Sequence, residues 1–442
     1  MKTVICCAAL GALLSVASAP AQELSAAPPL PLTLEAAVRR GLETSHRIAE
    51  AVARGDAAAA VADQRHAAAL PQIAALAGYT RTNHVDAFGI LLPTNQLRII
   101  YPDIPDNYRT RLDLQWPIYT GGRVDALERA ARIDATASAD DVEAARRDLR
   151  LDVTRAFWAF DTAVQTEDVV NQSSARIDAH LKDVRNQLDA GLVPPSDVFT
   201  VDAQAARQRM LMVQARSNRE VAEAELARLV GVPPGTKLVT ARDEPLAAAP
   251  ATIEALAETA RQQRPERAAL LKRLDAAAQR TRAASAGTRP TVAVGGGADY
   301  ASPNPRIFPR EDAWRTSWDA SVNVNWPLFD GGRARGEMAE AAAQKRAVQE
   351  RLADFDASLE VEIRQRLSET ASSRAAIASA DDAVRSATEA HRVLGERFAA
   401  GVATSTDVLD AQIALLQAQL DRTQAIANAH LADARLARAG GR

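Results

Sequence analysis

The chain has 442 residues, with 53 Lys and Arg against 56 Asp and Glu, a formal charge of −3, and a composition of 47% hydrophobic, 25% charged and 4% aromatic residues. That is enough apolar material for a sizeable core, so the chain is not a disordered polymer, and without a basic excess nothing favours nucleic-acid binding. Both cysteines, Cys6 and Cys7, lie at the start and the six histidines show no HxH or HExxH spacing, which excludes a disulfide framework, a cysteine nucleophile and a zincin motif from the rest of the chain.

Lys2, the apolar run Val4–Val16 and Ala19-Pro20-Ala21 have the three parts of a secretory signal peptide, assigned to residues 1–21. Cys6 and Cys7 come too early in that run to suit lipidation. No later stretch reaches the length of a membrane-spanning helix. An exported chain of this kind is periplasmic, extracellular, or set in an outer membrane as β-strands.

The remainder is one pattern written twice. Residues 22–231 read as a helix, two strands at about 70–119, a long helix over 123–190 and a return helix over 196–230. Residues 232–250 read as a linker, and residues 251–442 as the second copy, with strands at about 290–329, a long helix over 333–400 and a return helix over 404–438. Trp116-Pro117-Ile118-Tyr119-Thr120-Gly121-Gly122-Arg123 returns 210 positions later as Trp326-Pro327-Leu328-Phe329-Asp330-Gly331-Gly332-Arg333. Gly191 with Ser196-Asp197-Val198 returns at the same offset as Gly401 with Thr406-Asp407-Val408. Upstream, Pro71 matches Pro290 at an offset of 219. The difference falls between Pro71 and Trp116, where Leu92-Pro93-Thr94-Asn95 and Tyr101-Pro102-Asp103-Ile104-Pro105 have turn and loop chemistry. A loop longer in the first copy is expected there.

In the strands, Tyr108, Thr110, Leu112, Leu114, Trp116 and Ile118 alternate with Arg109, Arg111, Asp113 and Gln115. Trp314, Trp318, Val322 and Trp326 likewise alternate with Arg315, Asp319, Asn323 and Asn325. This is period two with one apolar and one polar face. Pro71–Tyr79 and Thr291–Tyr300 are weaker partners, making four strands, and the clustered aromatics match the girdles of an outer-membrane barrel. Gly295-Gly296-Gly297 inside a strand pattern predicts bending or a close approach. Each interval from Gly122 to Gly191 and from Gly332 to Gly401 is 69 positions without proline. Helices there would reach about 100 Å. Ile177, Leu181, Val184 and Leu188 have coiled-coil spacing, and Leu149, Val153, Ala156, Phe157, Phe160 and Val164 form a second stripe. Gly191 and Gly401 suit a left-handed helix end, while Pro195-Ser196 and Thr404-Ser405 restart a helix, so each long helix turns back as a hairpin. Gly121-Gly122 and Gly331-Gly332 lack phosphate-loop spacing and mark strand-to-helix turns. No Gly-x-Ser-x-Gly elbow is present, and no catalytic, cofactor-binding or metal-ligating residue is assigned.

The doubled Trp-Pro-x-aromatic-x-Gly-Gly-Arg and the doubled Gly-x-x-x-x-[Ser/Thr]-Asp-Val together resemble the TolC-like outer membrane factor (outer membrane efflux protein) family, from about Leu32 to Gly441. The resemblance implies a mixed α/β membrane protein. Its long antiparallel helices would form an α-barrel, and four strands per chain would join the outer-membrane β-barrel of a homotrimer with a long periplasmic extension. It implies a passive exit duct of drug efflux or type I secretion, without enzymatic activity or cofactor. Its partners would be a membrane fusion adaptor, an inner-membrane pump of RND, ABC or MFS type, and outer-membrane lipid. Adaptor contacts are implied at Gly191, Ser196, Asp197, Val198, Gly401, Thr406, Asp407 and Val408, and a pore constriction at Asp407 and Asp410, whose carboxylates would attract cations. Asp407 also suits a capping role in a first helical turn. Arg109, Arg111, Asp113, Arg315, Asp319 and Asn323 are expected to line the barrel lumen. Phe398 and Ala403 stand where well-known members place a gating Tyr and Arg, so those gate links have no counterpart here. The residues by themselves leave a second reading open, a periplasmic coiled-coil scaffold without a pore, which explains the helices but not the Trp-rich strands.

Overall fold

The computed structural model describes residues 30–233, 235–241 and 252–441; the signal segment and most of the expected linker lie outside them. The first copy runs β1 (Leu30–Leu32), α1 (Leu34–Thr44), α2 (His46–Ala67), β2 (Gln72–Arg81), β3 (Phe88–Leu91), β4 (Leu97–Tyr101), β5 (Asp106–Tyr119), α3 (Arg123–Asp189) and α4 (Pro195–Leu229). The second runs β6 (Leu238–Thr240), α5 (Ile253–Gln263), α6 (Pro265–Ser285), β7 (Thr291–Ser302), β8 (Arg315–Asn325), α7 (Arg333–Ala399) and α8 (Ser405–Ala439). A short parallel pairing of Leu30 with Leu238 joins the copies.

Two features depart from the simple pattern. The lead helix of each copy is broken in two. Ser45 accepts a hydrogen bond from the Ile48 amide (3.4 Å) and so starts α2, and Pro265 starts α6 in the second copy. The stretch expected to be loop contains a β-hairpin, in which Leu91 pairs with Leu97 and Ile90 with Arg98. Its turn places Asn95 at φ 62°. The turn chemistry was legible; the apolar residues on either side of it, Phe88 to Leu91 and Leu97 to Tyr101, are what carry the strands.

The long helices pack through the two stripes. Leu149, Val153, Phe157 and Phe160 of α3 form one core with Leu32, Leu226, Val230 and Leu238. Ile177, Leu181 and Val184 form another, near the hairpin ends, with Val201, Phe398, Val408 and Leu409. Each such fully buried side chain contributes about 1.5–3 kcal/mol. At 67 residues apiece, α3 and α7 are about 100 Å long.

The strands make one antiparallel sheet in the order β2-β5-β7-β8. The register sets Ala75, Leu112, Ala298 and Trp318 in one row and Ala74, Asp113, Gly297 and Asp319 in the next. Side chains directly opposite share a face, so the sheet has one apolar and one charged side. The apolar side is bare: Ile73 is 74% exposed, Trp318 77% and Val322 68%. Each outer edge of the sheet, on β2 and on β8, has no partner strand among the described residues. From Tyr108 to Trp116 the band measures about 27 Å at 3.4 Å per residue.

The repeated Trp-Pro motif has the same structural role twice. The Trp116 indole N–H donates to the Ala69 carbonyl and that of Trp326 to the Thr288 carbonyl, both at 3.2 Å. Each fastens the end of an outgoing strand to the end of the incoming helix. Gly121-Gly122 and Gly331-Gly332 then turn the chain at φ values from 65° to 92°, a region that favours glycine.

Candidate functional site

Two places on this scaffold carry unusual chemistry: the charged face of the sheet and the far ends of the helical hairpins.

On the sheet, Arg109, Arg111 and Asp113 of β5 lie on one face with Asp319 and Asn323 of β8. Between them, on β7, sits Asp299, whose side chain is fully buried. Arg109 Nε donates to one Asp299 oxygen and Arg111 Nη1 to the other, both at 2.6 Å. Arg111 also reaches Asp319 (2.9 Å) and Asp113 (2.8 Å). A buried carboxylate needs such partners, because desolvation without them is expensive. Glycine makes the arrangement possible: a Cβ on Gly297 would stand 2.3 Å from Arg111 Nη2. The expected close approach at the glycine run is therefore the passage of an arginine side chain. Arg306, from the loop between β7 and β8, adds a bond to Asp319 (2.7 Å) and donates to the Trp318 carbonyl (3.1 Å). The same loop is pinned by Asn304, which donates to the Arg315 carbonyl at 2.9 Å. Arg315 pairs with Glu311 at 2.9 Å, and Asn323 donates to Ser321 at 3.2 Å. Asp299 and Arg306 were not singled out in the sequence. Period-two counting from Tyr300 puts Asp299 on the polar face, whereas a loop residue such as Arg306 gives no periodic signal.

At the tips, Gly191 and Gly401 each hold φ 75°. The Leu192 amide donates to the Gln187 carbonyl (2.8 Å) and the Val402 amide to the Arg397 carbonyl (2.9 Å), the six-to-one bond of a Schellman motif in both copies. Beyond it the copies differ. Ser196 donates to Asp197 (3.2 Å) in a helix begun by Pro195. In the second tip Thr404 and Asp407 form a full capping box. The Asp407 carboxylate accepts from the Thr404 amide at 2.8 Å and from its hydroxyl at 2.7 Å. Those bonds hold the Asp407 carboxyl below the usual carboxylate range. Asp410 is exposed one turn further, as is Thr406 beside the cap. Val198 is half-buried and Val408 buried, both packed into the tip core rather than presented outward. Leu192 and Val402 project at the two apices, and Phe199 projects beside the first.

Phe398 and Ala403 also belong to this core. The Phe398 ring meets His180 edge-on at 5.0 Å, and His180 Nε2 shares a buried 2.9 Å hydrogen bond with Ser405 Oγ. That bond joins α3 of one hairpin to α8 of the other. Burial pushes the His180 pKa below its ordinary value.

The sequence matches the outer membrane efflux protein family over residues 37–232 and 256–442. The chain belongs to that family. It is 30% identical over 244 residues to protein CyaE of Bordetella pertussis, an alignment covering 52% of this chain and 49% of that one. It is 24% identical over 333 residues to the alkaline protease secretion protein AprF of Pseudomonas aeruginosa, covering 72% and 66%. The chain thus spans about half the length of CyaE and just under two thirds of AprF. The fold is also that of the Campylobacter jejuni CmeC outer membrane channel, with a TM-score of 0.77 at 17% identity, covering 92% of this chain and 85% of that one. Family and fold are those of outer-membrane channels with a long helical extension, not of enzymes.

Proposed function

We propose that three copies of this chain close their sheets into one twelve-stranded barrel across the outer membrane and bring their helices together as a periplasmic tube. The assembly is a passive exit duct. An inner-membrane pump supplies the energy and an adaptor joins it at the tips, so the duct itself performs no chemistry.

The observation that carries this reading is the sheet: bare Ile73, Trp318 and Val322 on one face, a paired Arg and Asp network on the other, and two open edges. Lipid covers the first face, an aqueous lumen suits the second, and edge-to-edge closure satisfies the third. A coiled-coil scaffold without a pore leaves all three unexplained. The AprF similarity supports a secreted polypeptide as the cargo. Deletion of the gene would then empty the medium of that polypeptide without changing drug sensitivity; the reverse result would assign the duct to drug efflux.

The test of the duct is conductance in planar bilayers. Purified protein is expected to give discrete channels whose cation preference falls in Asp407→Ala with Asp410→Ala. Traces identical to those of the unaltered protein would remove the acidic mouth. Charge reversal of the tips, Asp197→Lys in Gly191–Val198 or Asp407→Lys in Gly401–Val408, is expected to abolish export while insertion continues, and unchanged export would remove the tip docking.

A further inference from the structure

Among the described residues the hairpin β3–β4 has no counterpart in the second repeat, and it bears apolar side chains on both faces. Leu91 and Leu97, paired near its turn, are 66% and 64% exposed, with Phe88 and Ile99 also bare. Arg98 is the one charged side chain within its strands. A two-stranded hairpin of this kind gains little by itself in water, so its faces need a cover.

Its attachment limits what that cover is. Arg310, in the loop between β7 and β8, donates to the Tyr101 hydroxyl at 2.9 Å, lies over the Tyr101 ring at 5.1 Å, and donates to Asn107 at 3.0 Å. Arg306 of that same loop reaches Asp319 on the charged face. The loop therefore draws the base of the hairpin toward the polar side of the sheet, away from the side that faces lipid. It holds one flank only. The hairpin rises between β2 and β5, and β2 is the open edge of the sheet. When copies close edge to edge, the next β8 lies along β2, and the loop preceding that β8 carries Phe308, 71% exposed.

We infer that each β3–β4 hairpin packs against the β7–β8 loop of the neighbouring copy, and that the hairpins and loops together form an apolar collar narrowing the surface mouth of the duct. The collar rests on the trimeric reading above and adds to it a constriction at the end opposite the tips. Edge pairing and collar packing bury one continuous interface, and the apolar hairpin explains why the first copy is longer than the second.

The test places p-benzoylphenylalanine at position Leu91 and irradiates intact membranes. The expected product is a covalent pair of chains, with the adduct mapped to the peptide containing Phe308. The particle mass in detergent is measured on the same protein. A mass of three chains with no chain-to-chain adduct, or with adducts to lipid alone, overturns the collar and leaves the duct standing. A mass of one chain overturns the trimeric reading and the collar with it. Replacing residues 88–101 by a short turn is expected to raise single-channel conductance severalfold, and an unchanged conductance removes the narrowing.

Discussion

His180 shows how much a single side chain contributes at the tip. It is buried between three helices, sharing a hydrogen bond with Ser405 of α8 and an edge contact with Phe398 of α7. Burial is the largest influence and opposes the charged form, as does His391 across from it; together they outweigh Asp183 on its own helix and the Ser405 bond, which favour that form. The unfolded chain therefore binds the proton more tightly than the folded tip. Stability present at neutral pH is lost as the pH falls through the lowered value. Amide exchange in the tip turns, corrected for intrinsic rates, is expected to quicken between pH 7.5 and pH 5.5, and His180→Gln is expected to flatten that response. Identical protection at both pH values would contradict the assignment. Gly297 is the corresponding position on the sheet. Gly297→Val displaces the Arg111 guanidinium and leaves the Asp299 carboxylate with Arg109 as its remaining close partner, a loss of about 1.5–3 kcal/mol for one hydrogen bond to a charged group. Thermal unfolding is the measurement, with Gly78→Ala, which meets no neighbour within 4 Å, as the mild control. Neither site was legible as a pair. Arg111 and Asp299 stand 188 residues apart and His180 and Ser405 225 apart, and no local pattern connects such partners.

Among the elements, the helices and their seams could be read directly because the 3.6-residue period and the lack of proline extend over so many turns. The breaks at Ser45 and Pro265 and the β3–β4 hairpin were less visible, since a few capping and turn residues decide them against the longer pattern. The repeated motifs make their own predictions at this scale. Trp116→Phe and Trp326→Phe each lose one indole hydrogen bond, a cost of about 1 kcal/mol, and the two are expected to add because the clamps share no residue. Gly401→Ala forces a side chain into φ 75°, costing about 1–2 kcal/mol, whereas Gly395→Ala within α7 is expected to stabilise by about 1 kcal/mol. Thermal unfolding of the two variants should move in opposite directions; a shared direction would contradict the left-handed turn at the tip.

At the scale of the whole molecule, a single copy leaves a greasy sheet face, two open strand edges and long helices with their outer flanks exposed. Another ion-paired region ties the second copy together near its helix junction. There burial raises the Glu266 pKa, but bonds from Arg438 and Arg264 outweigh it and hold the carboxyl at about 2. That contribution is present above pH 4.5, the ordinary value, and disappears as the pH falls toward 2. Such internal order makes the chain a defined building block, and in the trimeric reading proposed above a neighbouring chain covers each open edge. Imaging of the detergent-extracted particle by electron cryomicroscopy tests the central claim most directly. The account predicts three chains around one axis, β8 of each hydrogen-bonded to β2 of the next, with the charged strand faces turned inward. A particle of one chain, soluble without detergent and with its sheet edges unpaired, would contradict it.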